Sequence, residues 1–255
     1  MSSRSVVCAR RLTARGVSFA AVLAALIALS LPGAASAGVP RPHAPIIVPP
    51  LGKLYDNLSV SWWQYVLAQP AATNPLADET GAGCATGQSG PIFFLVGANG
   101  TGAPTRDQCS VRAGKLLFFP LVNGFDVHVV PDGLDTADLV WDDFLNTLAF
   151  RVDSLHATVD GVAIRHLDPA TSPFRACAAP VAGCARPFSL RLPDANLFGI
   201  PAGTYAPAVA DGFYLLLAPL KPGVHTISFG GTGNFGVQRP SPFSQDITYR
   251  LTVRR

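Results

Sequence analysis

Charge is scarce in this sequence: only 14% of the 255 residues are Asp, Glu, Lys or Arg, and one glutamate, Glu79, accompanies fifteen aspartates. A charged fraction this far below the usual quarter excludes a disordered polyelectrolyte. Glutamate favours helix interiors, so its near absence, together with 24 Gly and 23 Pro, argues against a helical bundle. The composition favours a β protein with many loops.

Apolar runs of membrane-spanning length are also absent. The longest, Phe19 to Leu31, has about 13 residues, whereas a spanning helix needs about 20. It follows four arginines and precedes the small residues Ala35–Ala37, an order typical of a secretory signal peptide. We therefore predict a signal peptide over residues 1–37, cleaved before Gly38. The mature protein would be secreted or periplasmic, with no membrane span.

The mature chain, 38–255, has little net charge. It contains three Lys and twelve Arg against sixteen acidic residues, with no basic run long enough to track a phosphate backbone. Nucleic acid is therefore excluded as a partner. Residues 38–53 are rich in proline and predict an extended lead-in, and 54–255 has the length of one globular domain.

An even number of cysteines, four, lies in the mature chain: Cys84, Cys109, Cys177 and Cys184. In an exported protein such a set favours disulfides, and the absence of a C-x-x-C unit disfavours a zinc site. Four cysteines allow three pairings. We predict the local ones, Cys84–Cys109 and Cys177–Cys184, because Gly or Pro in each intervening loop lets the chain turn back.

Hydrophobic spacing predicts about two helices, over 54–68 and Asp135–Phe150, with Asp135 as the N-cap of the second. The continuously apolar runs Ile92–Val96 and Leu116–Val122 predict central strands. The absence of a strand–helix–strand rhythm predicts a mainly β fold, an antiparallel Ig-like or jelly-roll-type sandwich with its helices on the N-terminal side.

From residue 151 onward apolar residues alternate with polar ones, as in strands with one buried face. Asp160-Gly161 between two alternating runs is a strong hairpin signal. The last strand, within 246–253, alternates strictly. Gly230–Gly233 lacks the helix and lysine of a phosphate loop, so we expect it to connect two strands.

Two linked groups of motifs are distinctive. The first has WWQ at 62–64, NPL at 74–76 and GQSGPIFFL at 87–95, followed by Cys109, GK, FFP and Asn123; the second has ADGFY at 210–214 and PLKPGVHTI at 219–227. Together they resemble a family of exported bacterial proteins without an established activity, over most of 54–253. The resemblance implies a shared fold and export, and carries over no catalytic residue.

Asp126 and His128 are a candidate metal pair, because residues at i and i+2 share one face of a strand. A zinc or manganese site needs a third ligand, for which His156, His166 and His225 are available. The alternative interpretation is that these histidines are separate strand residues. No G-x-S-x-G elbow is present, and we expect no cofactor.

The long polar segment 70–90, with its disulfide-closed continuation to Cys109, is the predicted binding surface. Loops beyond about 12–15 residues usually have a function or are disordered, and the predicted disulfide at Cys84 argues against disorder here. Asp78, Glu79 and Gln88 would supply polar contacts, and Trp63 a stacking face. The preferred interpretation is a non-catalytic exported protein that binds a glycan, a small molecule or an envelope protein. A secreted hydrolase, metal-assisted through Asp126 and His128, is the alternative function. The segment 70–90 would otherwise only cover one end of the sandwich.

Overall fold

Two β-sheets dominate the computed structural model, which describes residues 44–129, 133–148, 151–236 and 241–255. The strands in chain order are β1 (Ile92–Phe94), β2 (Thr105–Arg106), β3 (Ser110–Arg112), β4 (Leu116–Val127), β5 (Arg151–Val159), β6 (Val162–Ala163), β7 (Arg175–Ala178), β8 (Phe188–Leu192), β9 (Gly203–Leu217), β10 (Gly223–Phe235) and β11 (Ser241–Arg254). The predicted mainly β, sandwich-like fold is confirmed. The predicted signal peptide, residues 1–37, lies outside the described residues.

The first sheet has the order β1–β4–β9–β7, with β8 also paired to β9, and both of its faces are buried. Successive side chains of a strand point to opposite faces. Phe118 of β4 contacts Tyr55 on the first helix, whereas its neighbour Phe119 contacts Phe229 in the second sheet. Because both faces of this sheet are buried, its strands contain continuous apolar runs and not an alternation of apolar and polar residues.

The second sheet has the order β2–β11–β10–β5–β6, with β3 also paired to β11, and buries one face. Its long strand β11 alternates buried and exposed residues, as the sequence predicts. The three short strands β1, β2 and β3 pair in parallel with their neighbours, so the sheets are not purely antiparallel.

The glycines 230, 231 and 233 lie inside β10, and the expectation of a loop there is wrong. A Cβ at Gly230 would lie 1.9 Å from the backbone oxygen of Gln245, and one at Gly231 would lie 2.3 Å from that of Ser154. Only glycine permits so close an approach of neighbouring strands. These glycines therefore allow the neighbouring strands to pack closely against β10.

The first helix, α1 (Leu54–Leu67), matches the predicted span 54–68. The second, α2 (Ala137–Asp143), continues as a π-helical stretch to Leu148 and is capped by Thr136, not by Asp135 as predicted. The Thr136 side chain accepts a hydrogen bond from the Leu139 N–H, and so it satisfies a free amide of the first turn. None of the described helices is long and apolar enough to cross a membrane.

Both predicted disulfides, Cys84–Cys109 and Cys177–Cys184, are present. They fit an exported protein stabilised by disulfides. The predicted hairpin is also confirmed: Asp160 and Gly161 have φ of 51° and 78° between β5 and β6, as a type I′ turn requires.

Candidate functional site

An aromatic cleft of about 410 Å³ lies at one end of the sandwich. Its walls come from α1, the 97–101 loop, the second half of β4, the 197–198 loop and the adjoining ends of β10 and β11. The aromatic side chains among the described lining residues are Trp62, Trp63, Phe125, Phe144, Phe198, Phe235 and Phe243. Since these residues come from separate segments, only the tertiary fold creates the cleft.

The aromatic rings are arranged as a continuous wall. The ring centroids of Trp62 and Trp63 lie 4.8 Å apart at 86°, and that of Phe125 lies 4.4 Å from Trp63. Phe198 continues the row at 5.9 Å from Phe125 and is 46% exposed at the mouth. These separations are those of favourable aromatic pairs. Trp62 and Trp63 are buried within the wall, so Phe125 and Phe198 present most of its accessible ring surface to a planar or apolar molecule.

Amide and hydroxyl groups supply the polar character of the cleft, and none of the described lining residues is charged. Gln245 is buried: its Oε1 accepts from the Ala98 N–H at 3.1 Å, and its Nε2 donates to the Leu121 carbonyl at 3.0 Å. Asn99 and Ser241 are exposed at the edge. The described lining of the cleft is therefore uncharged, and Gln245 fixes its 97–101 loop.

Behind this wall the amide of Asn123 donates to the hydroxyl of Tyr214 at 3.1 Å. Tyr214 is fully buried and stacks on Phe118. Burial raises the pKa of Tyr214, an effect that the hydrogen bond from Asn123 partly offsets. The phenol consequently stays neutral at physiological pH and acts as part of the scaffold.

Arg106, which sequence reasoning missed, is the main polar support of the cleft, and it is 1% exposed. Its guanidinium donates to the backbone carbonyls of Asp78, Val96 and Gly97 at 2.6–2.8 Å. It also donates to the hydroxyl of Tyr249 at 3.0 Å and lies 5.3 Å from the centroid of that ring. Arg106 thereby ties residues 74–90 of the predicted binding surface, here called segment 74–90, to the start of the 97–101 loop.

Tyr249 completes this buried network. Its hydroxyl accepts from the Val96 N–H, at 3.1 Å. Burial raises the pKa of Tyr249, although the neighbouring Arg106 cation acts in the opposite direction. Because all these Arg106 partners are neutral, no pattern of paired charges in the sequence could have signalled the buried arginine.

Of the four predicted ligand-binding residues, only Trp63 lines the cleft, and it is 6% exposed. Asp78 is held within its own loop: its carboxylate accepts from the Thr80 N–H and hydroxyl and from the amides of Gly81 and Gly83, at 2.7–2.9 Å. Burial tends to raise the pKa of Asp78, but these hydrogen bonds outweigh it and lower the pKa.

Gln88 is also engaged internally. Its amide exchanges two hydrogen bonds with the backbone of Phe94, at 2.8 and 3.1 Å, and donates to the Tyr65 hydroxyl and the Cys84 carbonyl. Glu79 is exposed and is not among the residues lining the cleft. The structure thus does not bring Asp78, Glu79 and Gln88 together with Trp63, and their role in binding stays a prediction.

Asp126 and His128 lie at the end of β4 and just after it. The Asp126 carboxylate accepts from the Val127 N–H at 2.8 Å. Within the described parts of the chain, no group of three or more His, Cys, Asp or Glu residues is placed to hold a metal. His156 and His225 contact Asp246 and Asp160 respectively. The structure therefore supplies no third ligand from the described residues, and the metal pair stays a prediction.

Comparison with known proteins adds no identification. No protein-family model, curated protein or solved structure matches this chain. The resemblance to a family of exported bacterial proteins accordingly stays a prediction based on the motifs.

Proposed function

We propose that this is an exported, non-catalytic binding protein that takes a neutral small molecule with an aromatic or apolar face into the aromatic cleft. The observation that carries the proposal is the lining itself: seven aromatic side chains and no charged one among its described residues. Burying a charged ligand there would cost its hydration without an ionic partner. A neutral ligand loses much less on entry.

The size of the cleft supports a small ligand. Its volume of about 410 Å³ falls in the range of roughly 300–1,000 Å³ typical of small-molecule sites. Trp63 and Phe125 would contact the faces of the ligand, and Asn99 and Ser241 at the edge would bond its polar groups. This combination of apolar walls and few polar groups is characteristic of sites that orient their ligand.

The cleft is preorganised, so a ligand can bind without a rearrangement of the flanking loop. Gln245 and Arg106 both bond the backbone between Val96 and Ala98, at the start of the flanking loop. The Cys84–Cys109 disulfide closes the segment that contains this loop. A site fixed before binding loses less conformational entropy when the ligand enters.

Fluorescence titration with two probes tests the proposal. N-phenyl-1-naphthylamine is neutral and aromatic, and we expect it to bind with a 1:1 stoichiometry and micromolar affinity. The anionic 8-anilinonaphthalene-1-sulfonate has a similar ring system, and we expect at least tenfold weaker binding because none of the described lining residues is a cation that could pair with its sulfonate. Equal affinity for both probes would contradict the neutral character of the site.

A pair of variants locates the probe. Phe198→Ser removes an exposed ring from the mouth of the cleft and should weaken binding of the neutral probe about tenfold, the loss of roughly one aromatic contact. Leu51→Ser removes an exposed apolar side chain that does not line the cleft, and it should leave the affinity unchanged. Equal losses in the two variants would indicate nonspecific surface binding.

A further inference from the structure

The second sheet carries a concentration of positive charge at the end away from the aromatic cleft. Arg112, Lys115, Arg254 and Arg255 line a surface cavity of about 530 Å³, here called the arginine cavity. Ser110 and Gln88 also line it, and no acidic side chain is among its described lining residues. Gln245 of the cleft and Arg254 are nine residues apart on β11, about 30 Å along an extended strand.

Strand pairing places the two central arginines side by side. In the parallel pair of β3 and β11, Ser110 is opposite Thr252 and Arg112 is opposite Arg254. The intervening Val111 is buried against the core, so the residues on either side of it point outward. The result is a two-by-two array of two hydroxyls and two guanidiniums on one exposed face.

Among the described residues, no acidic side chain lines the arginine cavity to balance this charge. Like charges directly opposite one another on paired strands are destabilising. Neither guanidinium forms an ion pair with any residue that the structure describes. The one acidic residue of β11, Asp246, is eight residues from Arg254 and contacts His156. An external anion bound between the two guanidiniums would offset this repulsion.

We propose that the arginine cavity binds a phosphate- or sulfate-type oxyanion, independently of any ligand in the cleft. Guanidinium groups match the oxygens of phosphate and sulfate in bidentate geometry, and two of them balance a dianion. The hydroxyl of Ser110, which also lines the cavity, supplies a further donor. Lys115, whose amine donates to the Gly90 carbonyl, adds a third positive charge beside the cavity.

Calorimetric titration of inorganic phosphate at low ionic strength tests this site. We expect saturable binding that weakens as salt is added, because the interaction is electrostatic and exposed. Arg112→Ser and Arg254→Ser should each weaken binding about tenfold, the usual effect of losing one hydrogen bond to a charged group. The double variant should show no measurable binding.

Arg191→Ser is the matched control, because Arg191 is an exposed strand arginine in the other sheet. It should bind phosphate like the unmodified protein. Thermal unfolding of every variant verifies that it is folded, and we expect the two cavity variants to be no less stable, since each relieves the repulsion between like charges. No phosphate or lipid binding, or equal loss in Arg191→Ser, would overturn the proposal.

Sedimentation with vesicles identifies the source of the oxyanion. Binding to phosphatidylglycerol vesicles but not phosphatidylcholine vesicles, abolished in the double variant, would assign the site to lipid headgroups. Binding of inorganic phosphate without binding to either vesicle would assign it to free or small-molecule oxyanions. Either result supports the site.

Discussion

Segment 74–90 and the aromatic cleft are neighbours that use their side chains in opposite ways. In the segment, the polar side chains of Asp78 and Gln88 form hydrogen bonds with the protein's own backbone. In the cleft, aromatic rings are turned toward a cavity, and exposed amide and hydroxyl groups stand at its edge. A long polar loop is therefore not necessarily a binding surface, because a loop can use its polar groups to hold its own fold.

Arg106 connects the two regions, and its replacement should have the largest effect. Arg106→Met retains much of the volume but leaves buried carbonyls at Asp78, Val96 and Gly97 without their donor. We expect the free energy of unfolding to fall by about 3–5 kcal/mol, as when one partner of a buried charged network is removed. Urea denaturation of both proteins measures this difference in the free energy of unfolding.

Arg191→Met is the control for that experiment, because Arg191 is exposed on β8. Its replacement should change the free energy of unfolding by less than about 0.5 kcal/mol. A loss below about 1 kcal/mol in Arg106→Met would show that the buried arginine does not hold the two regions together.

Asp78→Asn tests whether segment 74–90 is structural. The amide can accept fewer and weaker hydrogen bonds than the carboxylate, so we expect a loss of about 1–2 kcal/mol in the free energy of unfolding. Glu79→Gln changes the adjacent, exposed carboxylate and should have almost no effect. If the two variants were equally stable, the internal hydrogen bonds of Asp78 would contribute nothing and the segment would be available for binding.

The same carboxylate predicts a pH dependence. The pKa of Asp78 is lowered in the folded protein, so folding favours its ionised form. The stabilisation that the ionised Asp78 gives to the folded state is complete above the ordinary carboxyl pKa, about 3.9. It is lost as the pH falls through the lower pKa that Asp78 has in the folded protein. Urea midpoints measured between neutral pH and strongly acidic pH should therefore fall less in Asp78→Asn than in the unmodified protein. Parallel curves would contradict this.

Gly97→Ala should have the smallest effect on stability, and a specific effect on the cleft. A Cβ at Gly97 would lie 2.4 Å from Oε1 of Gln245, which accepts the Ala98 N–H. We expect a loss of about 1 kcal/mol in stability and several-fold weaker binding of the neutral naphthylamine. Gly203→Ala, where the Cβ meets its first neighbour at 3.6 Å, is the control and should change neither. Unchanged probe affinity in Gly97→Ala would show that Gln245 does not shape the cleft.

Local sequence patterns predicted much of the fold. The helix over 54–67, the Asp160-Gly161 hairpin, the alternation of β11 and the two disulfides all depend on residues close in sequence or on the cysteine count. The glycines of β10 were misread because the close approach of neighbouring strand backbones is not visible in the sequence.

The candidate site was predicted only in part. The 97–101 loop, which belongs to the predicted continuation to Cys109, lines the cleft, but most of the aromatic lining was not predicted, for the same physical reason. Trp63 was identified from the sequence, but its neighbours Phe125 and Phe198 are more than sixty residues away along the chain. Arg106 was missed because its partners are mainly backbone carbonyls, which any residue can supply. Similarly, the pairing of Arg112 with Arg254 depends on strand register across 142 positions.

The structure of the protein with N-phenyl-1-naphthylamine bound tests the central contrast most directly. We expect the naphthyl ring to lie against Trp63 and Phe125, with Phe198 over the mouth and the hydrogen bonds of Asp78 and Gln88 unchanged. A probe bound instead against Asp78, Glu79 and Gln88, with those hydrogen bonds broken, would contradict this contrast and would restore segment 70–90 as the binding surface.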